Sequence, residues 1–233
     1  SLKFMADEES PARISHRLLA INRSEVRINM KILEAKNICK SYDGVQIIEN
    51  FSLSLDAGDR LALLGVSGEG KTSLLNILLG ISAYGGGEVL RDSQLHYLVV
   101  FQEDRLLPSF GAPENMDVYP YRFLKKEALD ILTELGLDVS PNKPAGEYSG
   151  GMKRRLAIAR ALYGCILLHT MKPGEPLLLV MDEPFKGLDS SLRERVIRYI
   201  AQVLSATGAA LLLVTHDEKE ATALGCGFIK LKK

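Results

Sequence analysis

The stretch Gly65-Val66-Ser67-Gly68-Glu69-Gly70-Lys71-Thr72 constrains this chain more than any other, because it fits G-x-x-x-x-G-K-S/T with the required flanks. Leu61-Ala62-Leu63-Leu64 before it reads as a buried strand, and a helical pattern from about Lys71 to Leu79 follows. Glycines let the backbone curl so that successive N–H groups and the helix N-terminus point at phosphate oxygens. Lys71 adds a mobile positive charge, Thr72 offers a hydroxyl to Mg²⁺, and Ser73 follows in the same turn. The competing reading is a glycine turn between a strand and a core helix. The agreement of pattern and flanks argues against it, although the loop alone implies only a triphosphate ligand.

At 233 residues and 46% hydrophobic, the chain can bury a core of one large domain, or of one domain carrying a subdomain. Lys+Arg and Asp+Glu balance at 29 each, so no bulk charge points to nucleic acid or an acidic membrane surface. Cys39, Cys165 and Cys226 form no C-x-x-C pair and read as structural thiols in a reducing compartment. The most apolar windows are strand length, far short of the roughly 20 residues a membrane helix needs. Residues 1–29 lack a signal-peptide core and carry Asp7, Glu8 and Glu9 among dispersed basic residues. They are expected to be an appended arm or an expression-derived extension, to which the sequence assigns no function, with the folded domain spanning 30–233.

Short apolar runs alternate with helical patterns along that domain: Leu61–Leu64, Leu177–Met181 and Ala210–Thr215 each read as strands. This is the α/β rhythm of a mainly parallel sheet. Ile32 to Leu55, with Asp43-Gly44 at its centre, reads as an antiparallel hairpin beside it.

Three further segments carry chemistry. In Tyr148-Ser149-Gly150-Gly151-Met152, Ser149 can cap the long Ala-rich helix behind it, while Gly150 and Gly151 leave its first N–H groups bare as a second anion site. Leu177–Met181 ends in Asp182-Glu183-Pro184, a carboxylate pair at the carboxyl end of a strand, where open α/β sheets place their sites. Leu211 to Val214 ends in Thr215-His216-Asp217. A lone histidine there is more often a surface residue than a catalytic one.

In this order, the glycine loop, the S-G-G segment and Asp182-Glu183-Pro184 resemble the Walker A, signature and Walker B motifs of ABC ATPases, over about Ile32 to His216. Tyr148 and Met152 depart from the usual Leu and Gln of the signature. The resemblance implies a P-loop NTPase core with a mainly parallel sheet, an antiparallel β subdomain and a small helical subdomain at about 103–157. It implies ATP and Mg²⁺ as cofactors, with the metal held by Thr72, Asp182 and Gln102, the last in the Q-loop Phe101-Gln102-Glu103. Glu183 would polarise the attacking water, His216 would orient it, and Gln102 would respond to bound ATP. Tyr42 would stack on adenine, and Asp189, in Gly187-Leu188-Asp189, would lie in the D-loop that crosses a dimer interface. The expected partners are a second copy or a paralogous cassette in a head-to-tail dimer, transmembrane permease subunits and, for an importer, a solute-binding protein. Such a chain sits in the cytoplasm on the inner face of the cell membrane.

The run Phe101-Gln102-Glu103-Asp104-Arg105-Leu106-Leu107-Pro108 is similar to importer cassettes of the nitrate, sulfonate and taurine group. The alternatives left open are an exporter cassette and a soluble ABC ATPase. Soluble forms carry a coiled-coil insertion or a second cassette, for which 233 residues leave no room. Residues 217–233 are expected to hold no regulatory domain.

Overall fold

Lys31 to Asp56 alternate in burial and fold back on themselves, with β1 (Lys31–Tyr42) and β2 (Val45–Asp56) pairing antiparallel. At the turn Asp43 and Gly44 have φ of 48° and 80°, the left-handed pair that a two-residue type I′ hairpin requires. The computed structural model describes residues 30–65, 68–118, 125–137 and 143–231. The expected arm at 1–29, together with Val66 and Ser67 of the glycine loop, lies outside the described residues.

After the hairpin come β3 (Arg60–Leu64), α1 (Lys71–Leu78), β4 (Gly86–Arg91) and β5 (His96–Val100). Helices α2 (Ala112–Met116), α3 (Lys125–Glu134) and α4 (Gly150–Met171) follow, with a 3₁₀ turn at Ala145–Glu147 before α4. The chain closes with β6 (Leu177–Asp182), α5 (Ser190–Thr207), β7 (Ala210–Thr215), α6 (Glu218–Ala223) and β8 (Gly227–Lys230). Strand β4 returns to the far side of β1, giving an antiparallel sheet in the order β2-β1-β4. The remaining strands form a parallel sheet in the order β5-β6-β7-β3-β8.

Every residue of β6 and β7 is buried, which explains their unbroken apolar runs: a parallel sheet is covered on both faces. Successive side chains alternate between two cores. Leu179, Met181, Leu211 and Leu213 join Ala62 and Leu64 against α4 and α5. Leu178, Val180, Leu212 and Val214 join Leu63, α1 and the antiparallel sheet on the other face. Helix α4 is enclosed at twelve positions around its circumference and crosses residue 157 without a break, so that edge of the expected helical region falls inside a helix. Tyr148 is buried in the core ahead of α4, and Met152 packs partly against it. Both departures from the usual signature thus serve packing rather than the exposed helix start. Cys165 and Cys226 are buried free thiols; burial pushes the first up to about 12 and the second to about 11.

Candidate active site

Parallel pairing brings the motif-bearing strand ends to one edge. Leu64 is in register with Thr215, Asp182 with Val214, and Val100 with Met181. The glycine loop, Asp182-Glu183, His216 and Phe101-Gln102 therefore emerge side by side at the carboxyl edge of the sheet, where an open α/β sheet places its ligands.

The loop enters α1 through Gly70, whose φ is 88°. A Cβ there would lie 2.7 Å from Cγ2 of Ile47, so only glycine lets the hairpin approach the loop this closely. Tyr42 stands across that hairpin from Val45, 47% exposed, with the Lys40 ammonium 4.7 Å from its ring centre. Lys71 is buried, and its Nζ donates to the Gly65 carbonyl at 2.7 Å, holding the ammonium over the loop. Thr72 Oγ1 donates to Asp182 Oδ2 at 3.1 Å. A hydroxyl and a carboxylate in contact are hard oxygen donors of the kind Mg²⁺ takes when phosphates supply further ligands, so these two residues fit that ion. Burial raises the Asp182 pKa, and the Thr72 hydrogen bond acts against it. Deprotonated, Asp182 is a strong electrostatic attractor for a cation.

Glu183 continues the sheet through its N–H, which donates to the Val214 carbonyl at 2.9 Å. Its φ of 46° is a conformation that non-glycine residues adopt rarely and at a cost. The turn points its carboxylate at His216, whose Nδ1 lies 2.9 Å from Oε2 and 3.1 Å from Oε1. That hydrogen bond, ahead of the charge of Glu183, raises the His216 pKa. The pair is a carboxylate whose direction is fixed by a neighbouring ring, the geometry a general base needs.

The other candidates stand differently. Gln102 is exposed in the bend after β5, with its carbonyl accepting a hydrogen bond from Arg154. Ser149 caps α4 by accepting from the Met152 N–H at 3.3 Å. Gly150 has nothing within 4 Å of a would-be Cβ, and Gly151 lies 3.5 Å by the same measure from the Gly187 carbonyl. Asp189 caps α5 by accepting from the Leu192 N–H at 3.0 Å and from the Ser191 hydroxyl. Those bonds, the Leu192 one first, lower its pKa. Among the described residues no hydrogen bond joins Ser149, Gly150 or Gly151 to the glycine loop.

Two features escaped the sequence. Arg154 is the one arginine among the buried residues described, and it bonds to the ends of both β5 and β6. Arg193, in α5, donates to the Leu188 carbonyl and lies 3.5 Å from Glu220, which accepts from Thr215 at 2.6 Å at the base of the His216 turn. Charged residues on helices ordinarily read as solvated faces, and Arg154, flanked by Lys153 and Arg155, carries no local mark of its burial.

The family model for ABC transporters matches residues 48–186. The lipoprotein-releasing system ATP-binding protein LolD of Syntrophotalea carbinolica is 34% identical, over 83% of this chain and 92% of its own. The spermidine/putrescine import ATP-binding protein PotA of Pasteurella multocida is 31% identical over 88% of this chain and 57% of its own. The aliphatic sulfonates import ATP-binding protein SsuB of Cupriavidus necator is 34% identical over 82% and 63%. Among solved structures, the dimeric ATP-binding cassette MJ0796 in a post-hydrolysis state bound to ADP and Pi superposes with a TM-score of 0.71 at 27% identity, covering 86% of this chain and 94% of that one. With the Walker-type strand ends assembled at one sheet edge, this chain belongs to the ATP-binding cassettes of ABC transporters, ATPases coupled to transport.

Proposed function

We propose that the chain binds ATP with Mg²⁺ and hydrolyses it as half of a head-to-tail dimer, driving a small solute through partner permease subunits. The observation that carries this is the convergence at one sheet edge of Lys71, the Thr72–Asp182 contact and the Glu183–His216 pair. In this reading the glycine-loop N–H groups, Lys71 and Ser73 bind phosphates, and Tyr42 stacks on the purine. Thr72 and Asp182 hold Mg²⁺, with Gln102 approaching it when ATP is bound. Held by Thr72 and Asp182, Mg²⁺ would supply neutralising charge to the phosphates. Glu183 polarises the attacking water, and His216 keeps its carboxylate aimed.

The signature Ser149, Gly150 and Gly151 then serve the nucleotide of a second copy or a paralogous cassette, across an interface that includes Asp189. Support comes from the openness of Gly150 and from the dimeric state of the MJ0796 structures. Residues 30–233 act as the ATPase domain, with the helical region near 103–157 meeting the permease on the inner face of the membrane. Among the described residues no helix is long and apolar enough to cross a membrane; in this reading the path for solute belongs to the partners.

Import of a solute of the nitrate, sulfonate or taurine kind, with a solute-binding protein, is supported by the Phe101–Pro108 run and the likeness to SsuB. A second reading, release of a lipid-linked cargo outward, is favoured by one observation: the likeness to LolD, 34% identical over 218 residues. Assays of vesicles holding the chain with its genetically neighbouring permease distinguish the two. Uptake that depends on a binding protein supports import, and cargo release without one supports the second. The catalytic reading is tested by Glu183→Gln, which keeps shape and removes the base: hydrolysis falls roughly 100-fold or more while ATP binding stays. Wild-type turnover in that variant sinks the role of Glu183.

A further inference from the structure

Arg154 sits in the second turn of α4, 4% exposed, and its guanidinium reaches two loops at once. Nε donates to the Pro184 carbonyl at 3.1 Å, and Nη2 donates to the carbonyls of Asp182 and of Glu183, the latter at 2.7 Å. Nη1 donates to the carbonyl of Phe101, to that of Gln102 at 3.4 Å, and to the Asp104 carboxylate at 3.2 Å. One planar fork with five N–H donors thus gathers three consecutive carbonyls from the end of β6 and two from the end of β5.

Those carbonyls need such a partner. Beyond the Glu183 N–H the chain leaves the sheet ladder, Glu183 turns to its left-handed φ of 46°, and carbonyls facing inward there cost free energy unless bonded. A conformation of that kind persists only where the surroundings over-determine it. Here the surroundings are the Val214 carbonyl on the N–H side of Glu183 and Arg154 on its carbonyl side. The side-chain direction of Glu183 toward His216 follows from the backbone those two bonds fix. Asp104, one-quarter exposed, is the carboxylate partner that makes the buried cation tolerable.

We propose that Arg154 is a positioning residue of the hydrolytic centre, acting on its own chain by clamping the Glu183 backbone and the start of the Gln102 loop into one frame. Its guanidinium bonds to backbone carbonyls and the Asp104 carboxylate, so its effect is exerted through the aim of Glu183. The inference rests on the functional reading above, in which Glu183 is the base. Since a misplacement of about 1 Å costs on the order of 100-fold in rate, loosening this frame lowers kcat while leaving ground-state ATP binding, which rests on Lys71 and the loop, in place.

The test compares full-length wild type, Arg154→Gln and Arg154→Lys by steady-state ATPase, by titration with a fluorescent ATP analogue and by thermal melting. Arg154→Gln is expected to lose about 30-fold or more in kcat, with KM and analogue affinity within about threefold of wild type. Arg154→Lys, a point charge that serves fewer carbonyls, falls between the two. If Arg154→Gln does not fold, Arg154→Lys decides on the same constants, with a kcat about tenfold down at unchanged KM supporting the proposal. A kcat within threefold of wild type in the folded variant overturns it, as does a loss confined to KM. Mixed dimers separate this from a role in the signature helix: with Lys71→Ala on one subunit and Ser149→Arg on the other, only the second subunit's Glu183 lies in an intact site. Arg154→Gln added to that second subunit should remove the activity; removal only when added to the first overturns the proposal. A wild-type chain that hydrolyses no ATP sinks the functional reading itself, a result distinct from an active wild type with an equally active Arg154 variant.

Discussion

The starts of α1 and α4, the two helix N-termini to which the proposed function assigns phosphate, are built in opposite ways. The start of α1 is sunk into the sheet edge: Gly70 is pressed against Ile47, Lys71 is buried over its own loop, and Thr72 is tied to Asp182. The start of α4 is capped by Ser149 alone, with open space beside Gly150 and only the Gly187–Leu188 turn beside Gly151. A site that carries its own base and metal donors must be walled in by the sheet. A site that contributes only N–H dipoles to a nucleotide held elsewhere has to be accessible. The contrast between an enclosed cradle and an open one is what makes a shared site between two chains physically sensible.

The largest expected effect along this contrast is in binding. Lys71→Ala removes an ammonium that contacts phosphate in the ground state, so affinity for a fluorescent ATP analogue falls by about 10- to 100-fold, the worth of a hydrogen bond to a charged group. Ser149→Ala in the same titration leaves the isolated subunit's affinity within about twofold, because in the proposed dimer that cradle serves another chain. Equal losses in the two would erase the distinction.

Smaller effects lie in stability. Gly70→Ala puts a side chain at φ 88° and against Ile47; strain of about 1–3 kcal/mol lowers Tm by about 3–10 °C in a chain of this size. Gly150→Ala meets no neighbouring atom and changes Tm by about 1 °C or less, while still impairing hydrolysis where dimers form. Comparable melting shifts in the two variants would mean that the second cradle is packed as tightly as the first.

The smallest effect concerns the base of the His216 turn. Burial, the dominant influence, raises the Glu220 pKa above its ordinary 4.5. A raised folded-state value means that this group's contribution to stability is fully present below the unfolded pKa and is lost as pH rises through the folded one. Glu220→Gln does not titrate, so its Tm relative to wild type becomes more favourable as pH rises above the ordinary 4.5. A difference that stays flat or moves the other way contradicts burial as the dominant influence.

How much of this was legible in sequence follows from where the chemistry sits. Leu61–Leu64, Leu177–Met181 and Ala210–Thr215 run straight into their motifs, because a strand buried on both faces is apolar throughout and its functional residues begin where it stops. The hairpin was readable from Asp43-Gly44. The pairing of β4 with β1 was not, since a strand that crosses back over β3 and α1 leaves no local mark. Arg154 and the Arg193–Glu220 contact were also hidden: each joins segments roughly 30 to 50 residues apart or packs a charge among apolar neighbours, and helical periodicity carries no information about which loop a guanidinium reaches. Asp189 is a partial case, since the sequence pointed to an interface and the structure gives it in addition a cap on α5.

The measurement that bears most directly on the central claim is subunit mixing between Lys71→Ala and Ser149→Arg. Each variant alone should be nearly inactive, the first without a phosphate grip and the second blocking its neighbour's site. A mixed dimer contains one composite site in which an intact Lys71, Glu183 and His216 meet an intact Ser149, so ATP hydrolysis should return, with a rate per subunit that rises with protein concentration. Activity that stays at the parental floor across a wide concentration range, with a wild-type rate per subunit independent of concentration, would contradict the shared site and place the whole reaction within one chain.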